Sequence, residues 1–446
     1  MATNAVLPVL SEQELTFGSF NRIVSLRDEG SRIPVFLVEG LTATGMAERS
    51  TEMSTRTVLI NGTIITGFAK LKNCGLYIEE DGTIGDIFNM KRLAEKKFPP
   101  ETVMIDVGGA YITPGLIDTH IHGIGGFGTE DCDSESILNM SERLADFGVT
   151  AFLPTVYTDS MEKMLASTKA IAEAMGQEKG AKILGINLEG PFISPERIGA
   201  QNPAGLKGVD IDVFNQLIAA GQGHVVCMTV APELKHMREL ALAARREGIV
   251  LLAGHTDATY ENILEGMQCG ILHSTHFFNA MSRLHHRNPG TVGAIMIQRD
   301  MQCEIICDGV HVHPELVKLL LREKPLGNVV MITDSLKPTK QRTGKLLANG
   351  EPCVPGPEGG FVSASNPELF MGSSLTLLQA VKNMVGWEVP IEQVVQMSST
   401  NPARIYDFNK IGSLVPGYKA DITVFDEGFQ LKGVFIDGEL VRDRFA

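Results

Sequence analysis

Apolar runs alternate with amphipathic stretches through the middle of the chain, from about residue 116 to residue 406. The amphipathic stretches, such as ESILNMSERLADFG and MRELALAARREG, have the apolar spacing of one helix face. Eight apolar runs lie between them: LIDTHIH, TAFLPTV, KILGINLEG, HVVCMTVAPE, IVLLAGH, LHSTHFF, CEIICDGVH and NVVMITD. Near-continuous apolar strands that alternate with helices are typical of a parallel sheet covered on both faces, and eight strands can close into a barrel. The pattern therefore predicts an α/β fold with an eight-stranded parallel β/α barrel of the TIM type.

Both flanks of this region have a different pattern. From Val58 the runs TVLINGTIIT, CGLYIEEDGTIGDIF and TVMIDVGGAYITPG are broken by NG, DG and GG turn signals, which predicts hairpins in a small antiparallel unit. The C-terminal runs GSLVPGYKADITVFD and GVFIDGELV have the same character. We therefore expect a small β-sandwich domain built from both chain ends. The predicted division is an N-terminal extension of unknown role at 1–54, the sandwich at 55–113 and 409–446, and the catalytic barrel at 114–408.

The charge balance argues against two classes of partner. Lys and Arg number 39 while Asp and Glu number 53, which gives a formal net charge of −14 at pH 7. A negative overall field opposes binding to nucleic acid and to anionic membranes. No run approaches the roughly 18 consecutive apolar residues of a membrane span, and the N-terminus lacks the basic and long apolar regions of a secretory signal. We therefore predict a cytoplasmic protein with neither nucleic acid nor a membrane as a partner.

Side chains that can bind a metal recur where the predicted strands end. In such a barrel the chemistry collects at the carboxyl ends of the strands, because the loops there vary without disturbing the packed interior. Six imidazole or carboxylate side chains stand at these ends: His120, His122, Glu189, His255, His276 and Asp334. The first two are two residues apart, so both imidazoles lie on one face of the first strand and can bind one cation. Such mixed ligands suit zinc, iron or manganese better than calcium.

One histidine at the end of an apolar strand is more often a hydrogen-bonded core residue than a ligand, so the metal site is inferred from the set. The other histidines, except His311, lack this placement and are interpreted as surface or structural residues. They are His224, His236, His273, His285, His286 and His313.

Several of these motifs resemble those of a known family. PGLIDTHIHG resembles the first-strand signature of the amidohydrolase superfamily, and NPARIYDF followed by IGSLVPGYKADITVFD is similar to its return into a β-sandwich. The motifs GINLEGPFIS, AGHTDATY, HSTHFFNAM, ICDGVHV, MITDS and MGSSLTL resemble the N-acetylglucosamine-6-phosphate deacetylase family, from about Val58 to the chain end. Glu189 stands where this family has a metal ligand, whereas other superfamily members use a modified lysine on the fourth strand. HVVCMTVAPE has no lysine.

The resemblance implies roles for the strand-end residues. Glu189, His255 and His276 would hold one divalent metal ion, and His120 and His122 would help to hold a second or bridge to it. One or two ions are expected, zinc first, with iron and manganese as alternatives. Asp334 matches the catalytic aspartate, which takes the proton of an attacking water and delivers it to the departing amine, while the metal or His311 polarises the acyl carbonyl.

The resemblance also implies a substrate site and a homodimer. The residues that would contact the amino sugar phosphate are Ala200, Gln201, Asn279, Ala280, Arg287, His311, Phe370, Met371 and Gly372. Arg287 would bind the phosphate and reach the site of a neighbouring subunit, since a guanidinium gives phosphate two charge-assisted hydrogen bonds. An ordinary exposed arginine is the alternative. Gln201 departs from the family pattern, which has histidine there, and this leaves the exact sugar and its phosphorylation open.

These residues support one leading hypothesis and two alternatives. The leading one is a metal-dependent hydrolase of amino sugar metabolism that converts N-acetylglucosamine-6-phosphate to glucosamine-6-phosphate and acetate. The second is another amidohydrolase reaction, such as deacylation of an N-acyl amino acid or hydrolysis of a cyclic amide. The third is a non-catalytic barrel that serves as a scaffold. The scaffold hypothesis is disfavoured because the chain keeps all six residues of the ligand set.

Overall fold

The computed structural model describes residues 54–445, so the predicted extension lies outside the described residues apart from Ser54. The strands are β1 Thr57–Ile65, β2 Lys70–Ile78, β3 Ile84–Asn89, β4 Val103–Asp106, β5 Tyr111–Pro114, β6 Leu116–Ile121, β7 Gly123–Ile124, β8 Phe127–Gly128, β9 Val149–Val156, β10 Lys182–Ile183, β11 Ile186–Glu189, β12 Val225–Val230, β13 Val250–Ala253, β14 His273–Ser274, β15 Gln302–Ile306, β16 Val329–Ile332, β17 Leu347–Ala348, β18 Glu351–Pro355, β19 Phe361–Ser363, β20 Phe370–Gly372, β21 Ile422–Phe425, β22 Leu431–Ile436 and β23 Glu439–Asp443. The α-helices are α1 Ser134–Ala145, α2 Met161–Ala174, α3 Ile211–Ala220, α4 Met237–Arg246, α5 Tyr260–Gln268, α6 Gly290–Ile297, α7 Pro314–Glu323, α8 Leu377–Gly386, α9 Ile391–Val395 and α10 Asn401–Ile405, with a π-turn at Gln396–Thr400 between the last two. Short 3₁₀ turns cover Met90–Glu95, Thr129–Asp131, Pro195–Arg197, Pro203–Gly205 and Leu326–Asn328.

The central sheet is the predicted barrel. Strands β6, β9, β11, β12, β13, β14, β15 and β16 are parallel neighbours in chain order. The first and last of them meet at their carboxyl ends, where the Asp334 amide donates to the His120 carbonyl and the His122 amide donates to the Ser335 carbonyl, each at 2.9 Å. This contact brings the two edges of the sheet together. The eight-stranded α/β prediction is confirmed.

Helices cover the barrel because their apolar faces match its outer surface. In α1 the Asp133 side chain accepts from the Ser136 amide and so caps the first turn. Ile137, Met140 and Leu144 of this helix are buried, and their spacing of three and four residues places them on one face. Among residues 54–445, no helix has the length and apolar character needed to cross a membrane.

The two chain ends form one sheet beside the barrel, as predicted. Its strand order is β23-β22-β21-β5-β1-β2-β3, and β4 also pairs with β1. The expected all-antiparallel pairing is wrong at one place, since β4 and β5 both run parallel to β1. Gly108 and Gly109, between β4 and β5, have positive φ angles. The chain therefore bends at these glycines without reversing its direction, and β5 continues beside β1 in the same direction as β4. The boundaries at 113 and 408 stay predictions.

A second small sheet, which the sequence pattern did not predict, follows the eighth barrel strand. Strands β17, β18, β19 and β20 form an antiparallel sheet before α8 begins. The runs are short and partly exposed, so they lack the apolar pattern that identified the barrel strands. Bridges at Ser335 and Ser373 join the end of this sheet to the end of β16. The insertion therefore lies at the carboxyl face of the barrel.

Candidate active site

The structure brings the six predicted ligand residues together at the carboxyl ends of the barrel strands. Glu189 lies at the centre, with its Oε1 at 2.9 Å from His255 Nε2, 3.0 Å from His276 Nε2 and 3.6 Å from His120 Nε2. Its Oε2 lies 3.1 Å from His122 Nε2. All five side chains are buried.

Asp334 faces the histidine pair of the first strand from the end of the last. Its Oδ1 is 3.4 Å from His122 Nε2 and 3.7 Å from His120 Nε2. Two overlapping sets, one of His120, Glu189 and His276 and one of His120, His122 and Asp334, each place their ligand atoms within 4.8 Å of one another. Each set therefore has the ligand types and the spacing that can hold a metal ion.

Hydrogen bonds on the far side of the rings orient two of the histidines. His122 Nδ1 lies 3.0 Å from the Thr155 carbonyl, and His255 Nδ1 lies 3.0 Å from the Arg197 carbonyl. A carbonyl only accepts, so Nδ1 carries the hydrogen in both rings and Nε2 keeps its lone pair. These lone pairs point towards Glu189, as expected for rings that bind a metal.

The residues fit a divalent cation. His255 Nε2 and His276 Nε2 lie 3.2 Å apart and each is close to the same carboxylate oxygen. His120 Nε2 is fully buried and has no hydrogen-bond partner among the described residues. A buried polar atom without a partner is destabilising, and a bound cation would satisfy it. Imidazole and carboxylate together are suitable ligands for zinc, iron or manganese.

Three of the six residues leave their strands in a strained backbone conformation. The φ angles of His255, His276 and Asp334 are 46°, 25° and 50°. Non-glycine residues in this region are unfavourable by about 1 to 3 kcal/mol each and persist where the surrounding structure holds them. Strain of this kind concentrates at functional sites, so it agrees with the convergence of the side chains.

The electrostatics keep both carboxylates ionised. Burial alone would raise the pKa of Asp334, but the neighbouring imidazoles of His122 and His120 hold that pKa below its usual range. Burial likewise opposes ionisation of Glu189, while the surrounding imidazoles hold its pKa well below the ordinary value. Asp334 is therefore in the form that can accept a proton at neutral pH.

His311 lies on the loop after β15 and pairs with a carboxylate. Its Nδ1 is 2.6 Å from Asp308 Oδ2, and the other carboxylate oxygen accepts from the amides of Val310 and His311. Burial lowers the pKa of His311, but Asp308 outweighs burial and holds that pKa above its usual value. With Nδ1–H donated to Asp308, the protonated ring has Nε2–H available for an acyl oxygen.

The predicted substrate segment from β20 lies beside these residues. The Phe370 ring meets the His311 ring edge to face, with centroids 5.3 Å apart. Met371 is buried, and the Ser373 amide donates to the Asp334 carbonyl at 3.0 Å. The structure therefore brings Phe370, Met371 and Gly372 next to His311 and Asp334.

Gln201 contacts a ligand residue directly. Its Nε2 donates to Glu189 Oε2 at 2.6 Å, and its Oε1 accepts from the Thr158 amide at 2.7 Å. The side chain is buried, so both ends of its amide are used within the protein. Ala200 before it is half-buried and packs beside the cluster that contains Tyr157 and Met371.

The remaining predicted contacts lie on the loop after β14. The Asn279 side chain donates to the His276 and Phe277 carbonyls at 3.3 and 3.4 Å. The Ala280 carbonyl accepts from the Thr256 amide. Arg287 is exposed, and its guanidinium lies 2.8 Å from His286 Nε2. The structure thus places Asn279 and Ala280 close to the ligands, and Arg287 in an exposed turn.

Two buried residues near the ligands were not predicted. Tyr157 stacks on the His122 ring, with centroids 3.7 Å apart and an interplanar angle of 10°. It directly follows β9, so the strand-end rule could have identified it. Glu304, on β15, lies 3.8 Å from His120 Nδ1. Its signal was a lone carboxylate within the apolar run CEIIC.

Comparisons with known proteins agree with this geometry. The model of the amidohydrolase family matches residues 111–441. N-acetylglucosamine-6-phosphate deacetylase from Vibrio furnissii is 32% identical over 371 residues, which cover 82% of this chain and 90% of that protein. N-acetylgalactosamine-6-phosphate deacetylase from Escherichia coli O157:H7 is 31% identical over 335 residues, which cover 74% of this chain and 87% of that protein.

The fold is also that of solved structures. A mutant N-acetyl-D-glucosamine-6-phosphate deacetylase from Mycobacterium smegmatis, in complex with N-acetyl-D-glucosamine-6-phosphate, matches with a TM-score of 0.79 at 26% identity. The match covers 87% of this chain and 100% of that one. From the family match, the relatives and the strand-end site together, the chain belongs to the amidohydrolase family, among the relatives of N-acetylglucosamine-6-phosphate deacetylase.

Proposed function

We propose that the protein is a metal-dependent amidohydrolase that removes the N-acetyl group from an amino sugar 6-phosphate. Water adds to the acetyl carbon of N-acetylglucosamine-6-phosphate, the carbon–nitrogen bond breaks, and acetate and glucosamine-6-phosphate leave. The observation that carries this proposal is the convergence of four imidazoles and two carboxylates at the carboxyl face of the barrel. Relatives with at least 30% identity over most of the chain are deacetylases of this type.

The ligand set suits one or two divalent ions. Glu189, His255 and His276 would hold one, and His120 and His122, with Asp334, would hold the second. We propose zinc, with iron and manganese as alternatives. When bound, such an ion polarises the amide and lowers the pKa of water towards neutrality.

The protein's own residues supply proton transfer and carbonyl binding. Asp334, ionised at neutral pH, accepts the proton of the attacking water. It then gives that proton to the amide nitrogen, because an amine anion is a very poor leaving group. His311, held by Asp308, donates a hydrogen bond to the acyl oxygen as negative charge develops there.

The substrate residues surround this chemistry on the same face of the barrel. We propose that Phe370, Met371 and Gly372 line the acetyl end. Ala200, Asn279 and Ala280 lie around the sugar. Gln201, whose amide contacts Glu189, sets the position of that carboxylate as well as the edge of the pocket.

The phosphate is the part of the substrate farthest from the metal ligands. We propose that exposed Arg287 binds it across the interface of a cytoplasmic homodimer. Arg287 lies in an exposed turn closed by hydrogen bonds between His285 and Asn288, and this exposure suits a residue that reaches a neighbouring subunit.

A second candidate substrate is the galactosamine epimer. One of the relatives is named N-acetylgalactosamine-6-phosphate deacetylase and is nearly as similar as the glucosamine enzyme. The two sugars differ only in the configuration at one ring hydroxyl, and the amide that reacts is the same. The reaction proposed for Asp334 and His311 is therefore unchanged for either sugar.

The test is acetate release from a small panel of amides. The panel contains both N-acetylhexosamine-6-phosphates, plain N-acetylglucosamine, an N-acetyl amino acid and a cyclic amide, each assayed before and after chelation and after zinc is restored. We expect release from a hexosamine-6-phosphate that is lost on chelation and returns with zinc. The proposal would be contradicted if neither hexosamine-6-phosphate released acetate while the same enzyme preparation hydrolysed the N-acetyl amino acid or the cyclic amide.

A further inference from the structure

Glu304 is a buried carboxylate in the barrel interior that the proposed reaction does not use. It lies on β15 and is fully inaccessible to solvent. Its Oε1 accepts hydrogen bonds from Thr119 Oγ1 at 2.7 Å and from the Tyr406 hydroxyl at 2.9 Å, and its Oε2 accepts from Thr275 Oγ1 at 2.9 Å. Burying a charge is unfavourable unless hydrogen bonds satisfy it, and here three hydroxyl donors from separate elements do so.

The Thr275 hydroxyl links this carboxylate to the candidate metal site. Its oxygen lies 2.8 Å from His120 Nδ1. A hydroxyl carries a single hydrogen. Because Thr275 donates that hydrogen to Glu304, its oxygen accepts from the ring, and the ring hydrogen is on Nδ1.

The consequence appears on the opposite side of the His120 ring. With hydrogen on Nδ1, Nε2 carries a lone pair, and it is this atom that is buried without a hydrogen-bond partner in the described part of the chain. It lies 3.6 Å from Glu189 Oε1 and 3.7 Å from Asp334 Oδ1. The two hydrogen bonds that link His120 through Thr275 to Glu304 therefore determine that Nε2 is the ring nitrogen available to a metal ion.

We propose that Glu304 is a positioning residue that, through Thr275, holds His120 in the tautomer that binds the metal. This inference rests on the proposed function, because it assigns a role within that same site. Glu304 lies behind His120, on the side away from Asp334. It acts on how tightly the ion is held and has no contact with the reacting amide.

Replacement of Glu304 by glutamine reverses the direction of the hydrogen bonds. The amide oxygen can still accept from Thr119 and Tyr406, which leaves the amide nitrogen facing Thr275. That nitrogen donates, so the Thr275 hydroxyl turns its hydrogen towards His120 Nδ1. The ring hydrogen then moves to Nε2, which no longer has a lone pair for the metal.

Two further variants separate this effect from general loosening of the interior. Thr275→Val removes the hydroxyl while keeping the branched shape, so it breaks the link to His120 without changing the charge of Glu304. Tyr406→Phe is the matched control. This variant removes the hydrogen bond that the Tyr406 hydroxyl donates to Glu304 Oε1, and it leaves the bond from Thr275 to Glu304 Oε2 intact.

The experiment is a zinc titration of the full chain against a competing chelator, with acetate release and thermal unfolding of the chelated protein measured in parallel. We expect Glu304→Gln and Thr275→Val to raise the dissociation constant of the more weakly bound zinc equivalent by about 10-fold to 100-fold. Tyr406→Phe should change that dissociation constant by less than about threefold. Unfolding in chelator reports whether each variant folds, and Thr275→Val decides the question if Glu304→Gln does not fold.

The outcomes separate this inference from the proposed function. Suppose that wild type releases acetate, and that Glu304→Gln or Thr275→Val folds and binds zinc as tightly as wild type. That result overturns the role of Glu304 and leaves the proposed function standing. Equal losses of zinc affinity in Tyr406→Phe and Glu304→Gln also overturn the role of Glu304, because they indicate a structural effect. Wild type that binds no zinc and releases no acetate contradicts the proposed function.

Discussion

At the scale of single residues, the site depends on which atom of each side chain faces its centre. Carbonyls of Thr155 and Arg197 hold the Nδ1–H groups of His122 and His255, so the rings present their Nε2 atoms to Glu189. Gln201 holds the other oxygen of the same carboxylate. The geometry of the ligands is therefore set by groups behind them, at the end of β9 and in the loop after β11.

Asp334→Asn tests the proton transfer. Asparagine has nearly the shape of aspartate but cannot accept and deliver a proton, so kcat should fall by about 10²-fold to 10⁴-fold. The ion held by Glu189, His255 and His276 should remain bound, since those three ligands are unaltered, whereas the ion held by His120 and His122 with Asp334 should bind more weakly. Steady-state kinetics and elemental analysis of the same preparation measure both. A variant with near-normal kcat would exclude Asp334 as the proton carrier.

Arg287→Ala tests phosphate binding. Loss of a charge-assisted contact is unfavourable by about 1.5 to 3 kcal/mol, so KM for the phosphorylated sugar should rise about 10-fold to over 100-fold, with a smaller change in kcat. The effect should vanish for the unphosphorylated sugar. Arg283→Ala, which changes an exposed arginine earlier in the same loop, is the control and should leave KM unchanged. Equal effects on both sugars would indicate that Arg287 does not bind phosphate.

The sequence identifies these residues unequally. The rule that barrel chemistry lies at strand ends is sufficient to select His120, His255 and Asp334, because each stands at the end of a barrel strand or within two residues after it. It does not select Glu304, whose role depends on a hydroxyl from another strand. Nor does it reveal that the Gln201 amide contacts Glu189, since that loop conformation is set by tertiary contacts.

At the scale of elements, the inserted sheet β17–β20 forms one wall beside the ligands. Gly372 in β20 has a φ angle of +147°, and a Cβ there would lie 2.6 Å from Leu336 Cδ2 and 3.1 Å from the Asp334 carbonyl oxygen. A side chain at this position would therefore push against the segment that carries Asp334. This close approach requires glycine.

Gly372→Ala should lower both stability and rate. The strained backbone and the contact with Leu336 should reduce the free energy of unfolding by about 1 to 3 kcal/mol. Displacement of Asp334 should reduce kcat on the order of 10-fold to 100-fold. Gly350→Ala is the control, because that glycine also has a positive φ but a Cβ there meets no atom within 4 Å. Equal kcat values in the two variants would show that the contact does not reach Asp334.

Elements differ in how far the sequence predicts them. The barrel strands are predictable because burial on both faces makes them continuous apolar runs. The parallel pairing of β4 and β5 with β1 is not, because a GG turn signal permits either a hairpin or a kink. The strands of the insertion are short and half-exposed, so their pattern does not distinguish them from loop.

At the scale of the whole molecule, a buried ion cluster joins the barrel to the sheet made by the chain ends. Lys182 of β10 lies 2.6 Å from Asp421 and 3.0 Å from Asp437. Burial lowers the pKa of Lys182, but the two carboxylates outweigh it and hold that pKa above its usual value. The ammonium group is therefore charged where the two parts of the molecule meet.

Lys182→Met should destabilise the protein by about 3 to 5 kcal/mol, because it leaves the buried carboxylate of Asp421 beside the partly exposed carboxylate of Asp437 without the cation between them. Lys169→Met is the control. That lysine pairs with Glu173 on the exposed face of α2, where the contribution should stay within about 0.5 kcal/mol. Denaturant unfolding measures both. Similar stabilities for the two variants would show that the cluster does not stabilise the contact.

The metal content of the purified protein tests the central claim most directly. Elemental analysis should find one or two equivalents of a divalent metal in wild type, and a loss of at least one in His255→Ala and in His276→Ala, because each removes a ligand nitrogen. His273→Phe is the matched control, since this buried histidine of β14 stacks on Tyr406 and has no contact with Glu189. It should keep the full content. A full metal complement in His276→Ala, equal to that of His273→Phe, would contradict the assigned site.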